Sequence, residues 1–146
     1  MALDLKSLFS GKGRIDRTTF WTVQLLLAVF EACLQAMVAL FPATPVMLFA
    51  LLLHVASLAV GVFNMAKRLH DLSRSGWWML LPMAVALLVT GLGVAKFGRG
   101  SDGAFASEGL GLLAPLAFLL IIGFLRGDPA TNRFGDLPTA APSPAT

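Results

Sequence analysis

His70 and Asp71 stand side by side in the stretch KRLHDLSRSGWW, residues 67–78, with Lys67, Arg68 and Arg74 around them and the pair Trp77–Trp78 behind. A carboxylate among guanidinium groups accepts bidentate, charge-assisted hydrogen bonds, so Asp71 is suited to tie chain segments together. Positive charge left over from such a clasp would attract an anion. A hydrolytic or metal-binding reading of the same pair lacks company: the chain has two histidines, one cysteine, no HExxH and no second His–Asp pair. GKGR at 11–14 lacks the phosphate-loop spacing and no GxSxG occurs. No catalytic residue, metal site, cofactor or nucleic-acid partner is expected.

A second pair, Glu31 and His54, lies inside long apolar runs. Glu31 falls ten residues before Phe41 and His54 nine after Pro45, so the short turn between them brings both near the middle of a membrane. Ionisable groups at that depth are costly and face the bundle interior, which allows either a proton or ion path or a single interhelical hydrogen bond with Glu31 protonated. Gln24, Gln35, Ser57 and Thr90 are the few other polar groups at such depths and do not compose a continuous path.

The elements that must position these residues follow from composition. Of 146 residues, 57% are hydrophobic and 13% charged, more apolar surface than a soluble domain of this size can hide. Four runs, at about 20–41, 45–66, 77–95 and 105–125, read as transmembrane helices, because about 20 helical residues at 1.5 Å each span a hydrocarbon core. The fourth run starts clearly only at Leu110 and needs an earlier start, near Phe105, to reach that length. Pro82 and Pro115 fall early in the third and fourth runs, where a missing N–H is tolerated. The first run reads as a retained helix rather than a secretory leader, being too long and interrupted by Glu31. Cys33, without a disulfide partner, reads as a packing residue.

The expected architecture is all-α: four transmembrane helices in two hairpins within one domain, residues 1–138. A short amphipathic segment carrying Leu3, Leu5, Leu8 and Phe9 precedes them, and a disordered tail, 139–146, follows. Asp16 is placed to cap the first helix, and Ser73 or Ser75 to cap the third. Ala28, Ala32 and Ala36, with Ser57 and Gly61 on the second helix, offer close helix approach. KFGRGSDGAFASEG, residues 96–109, reads as a mobile outer loop. With both termini inside, nine Lys and Arg residues lie on the cytoplasmic side and two outside, as the positive-inside rule favours. Trp21, Trp77 and Trp78 then sit at headgroup depth on the cytoplasmic side.

Three segments on that side, FSGKGRIDRTTFW, KRLHDLSRSGWWMLLP and NRFGDLP, together resemble the bacterial family of small inner-membrane proteins catalogued as domain of unknown function 805. The resemblance rests on Gly13, Arg14, Arg17, Phe20 and Trp21. It rests equally on Arg68, Leu69, His70, Asp71, Ser75, Gly76, Trp77 and Trp78, and on Asn132, Arg133, Phe134, Gly135 and Pro138. Lys67 stands where the family usually has Arg, and Asp136 lies in a GDLP ending that departs from the usual one. The resemblance implies location in the bacterial inner membrane and no particular activity.

If the three segments meet, Arg14, Arg17, Trp21, Arg68, His70, Asp71, Arg74, Ser75, Gly76, Trp77, Trp78, Asn132 and Arg133 form one cytoplasmic interface cluster. It would serve as a non-enzymatic binding or scaffold surface. The expected partners are membrane lipids, anionic phospholipid among them, a membrane protein or a second copy of the chain. The rival reading is a small transporter or proton-coupled channel subunit using Glu31 and His54.

Overall fold

The computed structural model describes residues 9–138. The amphipathic segment around Leu3, Leu5 and Leu8 and the tail 139–146 lie outside the described residues. Four helices carry the chain: α1 (Arg17–Leu40), α2 (Thr44–Asp71), α3 (Leu80–Phe97), entered through a 3₁₀ turn at Gly76–Met79, and α4 (Asp102–Phe124). Each, counting the 3₁₀ turn with α3, is long and apolar enough to cross a membrane, with stretches of mean hydropathy 2.0–2.5. Among the described residues there is no β-strand beyond one isolated bridge, Asn132 to Gly135. The fold is an all-α, polytopic four-helix membrane bundle.

Local chemistry sets the helix starts. Asp16 caps α1, its carboxylate accepting from the Thr19 N–H at 2.7 Å, and Ser101 caps α4 through the Ala104 N–H at 3.2 Å; each satisfies an otherwise orphan donor. Ser73 and Ser75 do not cap. Ser75 precedes the 3₁₀ turn without a side-chain bond. Ser73 takes the left-handed φ of 58° that ends α2, and its hydroxyl turns to Asp128.

Two boundaries depart from the sequence expectation. α2 runs to Asp71, so Lys67 to Asp71 form its last turns rather than a loop. Basic residues at a helix C-terminus suit its dipole, so the charge that breaks the apolar pattern does not break the helix. α4 begins at Asp102, so the Gly-rich stretch 96–109 is mostly helical and the turn shrinks to residues 98–101. Pro115 consequently falls in the middle of α4, whereas Pro82 is the third residue of α3.

α1 pairs with α2 and α3 with α4, giving two hairpins. The second is knitted by small residues: a Cβ at Gly93 would lie 2.1 Å from Ser107, and one at Gly111 would lie 2.7 Å from Thr90 Oγ1. Ala28, Ala32 and Ala36 instead face outward, while Ser57 is buried and Gly61 faces Leu27. The hairpins join at the end holding residues 9–16, the 72–75 turn and residues 125–138. There Ile15, Phe20, Leu69 and Ile122 form a buried core flanked by Trp21, Met65 and Phe118. This end is called the basic end below.

Candidate functional site

Asp71, 4% exposed, ends α2 directly beneath the segment that leads into α1. Its Oδ1 accepts from Arg14 Nε at 3.1 Å and Nη2 at 3.0 Å, and its Oδ2 accepts from Arg68 Nη1. Both guanidinium groups are then completed by backbone carbonyls. Arg14 donates to Asp128 and Ala130, each at 2.6 Å, and to Gly135 at 3.4 Å. Arg68 donates to Ile122 at 2.9 Å, to Ile15 at 3.4 Å and to Leu125.

Two buried guanidinium groups face one carboxylate here, so the clasp alone carries excess positive charge. The Ile122 and Leu125 carbonyls close α4, where peptide dipoles leave partial negative charge and no intrahelical donor. Arg68 therefore caps α4 from α2. No buried side-chain polar atom among the described residues lacks a partner, the condition under which buried charge is tolerable.

The third segment closes over this pair. Asp128 N–H donates to the Asp71 carbonyl at 2.8 Å. Asn132 Nδ2 lies 2.9 Å from the His70 carbonyl and 3.0 Å from Ser73 Oγ. His70 Nδ1–H donates to the Gly13 carbonyl at 3.1 Å, and its ring stacks on Phe134 at 3.9 Å and 5°. His70 is thus a structural plate between the first and third segments. The Ser73 hydroxyl, then the Ala130 N–H, hold the Asp128 carboxyl below the usual aspartate range. Gly127 is needed for the closure, since a Cβ there would lie 2.0 Å from Asp71 Oδ2.

The structure divides the sequence-derived cluster in two. Arg14, Arg68, His70, Asp71 and Asn132 form the clasp, and Trp21 supports it by donating from Nε1 to the Gly123 carbonyl at 3.2 Å. Ser75 and Gly76 set the 3₁₀ turn, with Gly76 against Ala66. Arg17, Arg74, Arg133, Trp77 and Trp78 stay exposed, and neither Arg17, Arg74 nor Arg133 reaches Asp71. Arg74 lies over Trp78, 5.5 Å from the ring centroid, and Arg133 over Phe134, 4.7 Å away.

Arg126, which enters the sequence reading only as one of the nine Lys and Arg residues on the cytoplasmic side, is a further functional candidate. With Arg74 and Trp78 it edges a groove of about 370 Å³ walled by Leu72, Phe118 and Ile121. Asp128 and Gly127 were also missed; the Asp-Pro pair after the helix signalled a turn, but nothing in the sequence aimed it at Asp71.

Within the membrane span, Glu31 and His54 meet as the sequence suggested: His54 Nδ1 lies 2.8 Å from Glu31 Oε2, and Ser57 Oγ bonds Glu31 Oε1. Toward the basic end the next polar contact is Asn64 Nδ2, 3.3 Å from Gln24 Oε1. Leu27 packed against Gly61 separates the two polar layers. Among the described residues no group of His, Cys, Asp and Glu is arranged to hold a metal ion.

The family model described as Protein of unknown function (DUF805) matches residues 8–136. No curated protein and no solved structure matches the chain.

Proposed function

The chain belongs to the family described as Protein of unknown function (DUF805), and from its geometry we propose a non-enzymatic, multi-pass protein of the bacterial inner membrane. Its basic end faces the cytoplasm and binds the headgroup of an anionic phospholipid. The observation that carries this reading is the division of the arginines. Arg14 and Arg68 are consumed by Asp71 and backbone carbonyls, whereas Arg74 and Arg126 edge one apolar groove and, among the described residues, enter no ion pair.

Two guanidinium groups above an apolar wall match a phosphate joined to an acyl chain. Arg supplies a planar fork to the phosphate oxygens. Leu72, Phe118 and Ile121 offer the chain a surface, and the exposed Trp77 and Trp78 mark headgroup depth. Each basic residue near an anionic leaflet contributes about 1 kcal/mol. A soluble acidic ligand would gain nothing from the wall.

The transporter reading draws on the Glu31–His54 contact, but the Leu27–Gly61 layer interrupts the polar groups between that pair and the basic end. A proton path needs an unbroken hydrogen-bonded chain, which places the lipid-binding reading first.

Quenching of tryptophan fluorescence by brominated lipid tests it. Brominated phosphatidylglycerol should quench the reconstituted protein more than brominated phosphatidylcholine, and the difference should vanish in Arg74→Gln/Arg126→Gln. Equal quenching by both lipids in the unsubstituted protein would overturn the reading.

A further inference from the structure

On the half of the bundle nearer the 41–43 turn, α1 and α2 part to leave a groove of about 470 Å³. Leu34, Met47 and Leu51 wall it, Gln35 lies along one side, and Glu31 and His54 stand at its inner end. The volume is in the range of small-molecule sites, which combine apolar walls with a few placed polar groups. The His54 side chain is 58% exposed, and in the bilayer that exposure is to the groove and to hydrocarbon.

The hydrogen bonds identify the atom left for a ligand. Glu31 has Oε2 engaged with His54 Nδ1 and Oε1 with Ser57 Oγ, and Ser57 Oγ also lies 2.8 Å from the His54 carbonyl. His54 Nε2 has no partner among the described residues. Hydrocarbon favours the arrangements of this cluster without net charge, and three exist. In the ion pair, and with Glu31 protonated on Oε2 toward Nδ1, Nε2 carries a proton. With Glu31 protonated on Oε1 toward Ser57, Nδ1–H donates to Oε2 and Nε2 is a bare acceptor. Nε2 can therefore present a donor or an acceptor while the cluster stays neutral.

We infer that this groove binds a membrane-soluble quinone and its quinol, the ring oxygen accepting from His54 Nε2–H as a carbonyl and donating to Nε2 as a hydroxyl. The Gln35 amide, which also both donates and accepts, is placed one helical turn from Glu31 for a second polar substituent. Other lipophiles fit less well. A fatty-acid carboxylate would add charge beside Glu31. Phospholipid esters and diacylglycerol hydroxyls are held at the interface. Glu31 is nine residues from Leu40 and His54 ten from Thr44, about 14–15 Å inside the span at 1.5 Å per residue. That is roughly half of a hydrocarbon core about 30 Å thick.

Calorimetric titration of the protein in phosphatidylcholine nanodiscs, corrected with empty nanodiscs, tests this with decylubiquinone and decylubiquinol as probes. Both forms should bind saturably. His54→Phe should weaken both about tenfold or more, as should Ala39→Leu, which fills the groove at an exposed lining position and leaves the polar cluster intact. Arg74→Gln/Arg126→Gln should leave quinone binding unchanged. The inference is overturned by no saturable uptake beyond empty nanodiscs, by binding indifferent to both groove substitutions, by a preference for one redox form above about tenfold, or by equal displacement with decanol or decanoic acid.

Discussion

At Asp71 the two carboxylate oxygens divide their partners, Oδ1 to Arg14 and Oδ2 to Arg68, so an amide there can satisfy only one of them. Asp71→Asn should destabilise the protein by about 3–5 kcal/mol, the range for breaking a buried pair and stranding its partner. Thermal or denaturant unfolding in detergent micelles measures the loss. Double-mutant cycles should show coupling of Asp71 to Arg14 and Arg68, and near-additivity with Arg17, Arg74 and Arg133. Lys96 and Arg99, at the opposite end of the bundle, should be replaceable at little cost. The sequence displays an aspartate in a field of arginines, but most acceptors that select Arg14 and Arg68 are backbone carbonyls, which every residue carries. Those become legible only once the end of α4 and the 126–135 segment are in place. Glu31 and His54 were easier to pair, because one short turn fixes their relative depth. Glu31→Gln or His54→Gln should each leave a folded protein with a loss of about 0.6 kcal/mol, at most about 2, as interhelical hydrogen bonds in membranes contribute.

Helix identity was legible because four long apolar runs leave no alternative to spanning helices, and Asp16 marked the start of α1, but the end of α2 and the start of α4 were not legible. α2 passes through Arg68 and Asp71 because these two charges pair with each other inside the protein, a tertiary fact that hydropathy cannot report. The packing surface was partly misplaced for a related reason: Ser57 and Gly61 do pack inward, but the alanines of α1 do not. Ala28, Ala32 and Ala36 have the right spacing and face outward, while Gly103, Ser107 and Gly111 repeat it on a stretch whose first part was read as loop. Once that stretch is helical, Gly103 meets Phe97, Ser107 meets Gly93, and Gly111 meets Thr90 and Ala86. Gly93→Ala should cost about 1–3 kcal/mol by overpacking against Ser107. Gly91→Ala, with nothing within 4 Å of its added methyl, should be neutral or stabilising by up to about 1 kcal/mol through helix propensity. A comparison of the two melting temperatures checks the α3–α4 seam.

For the molecule as a whole, the charge asymmetry predicts an orientation. In a Cys33→Ser background, Arg133→Cys at the basic end should react with a membrane-impermeant maleimide only from the cytoplasmic side, and Arg99→Cys only from the other. Labelling of Arg133→Cys from outside intact cells would reverse the orientation. The same end joins the two hairpins through the Asp71 clasp and holds Arg74 and Arg126 apart from it. Anionic-lipid retention should therefore depend on those two arginines and not merely on total charge. Native mass spectrometry after exchange into equal phosphatidylglycerol and phosphatidylcholine measures this. The unsubstituted protein and a Lys96→Gln/Arg99→Gln control should both retain phosphatidylglycerol preferentially, while Arg74→Gln/Arg126→Gln, with the same loss of charge, should not. Equal retention by all three proteins, or none by any, would contradict the account.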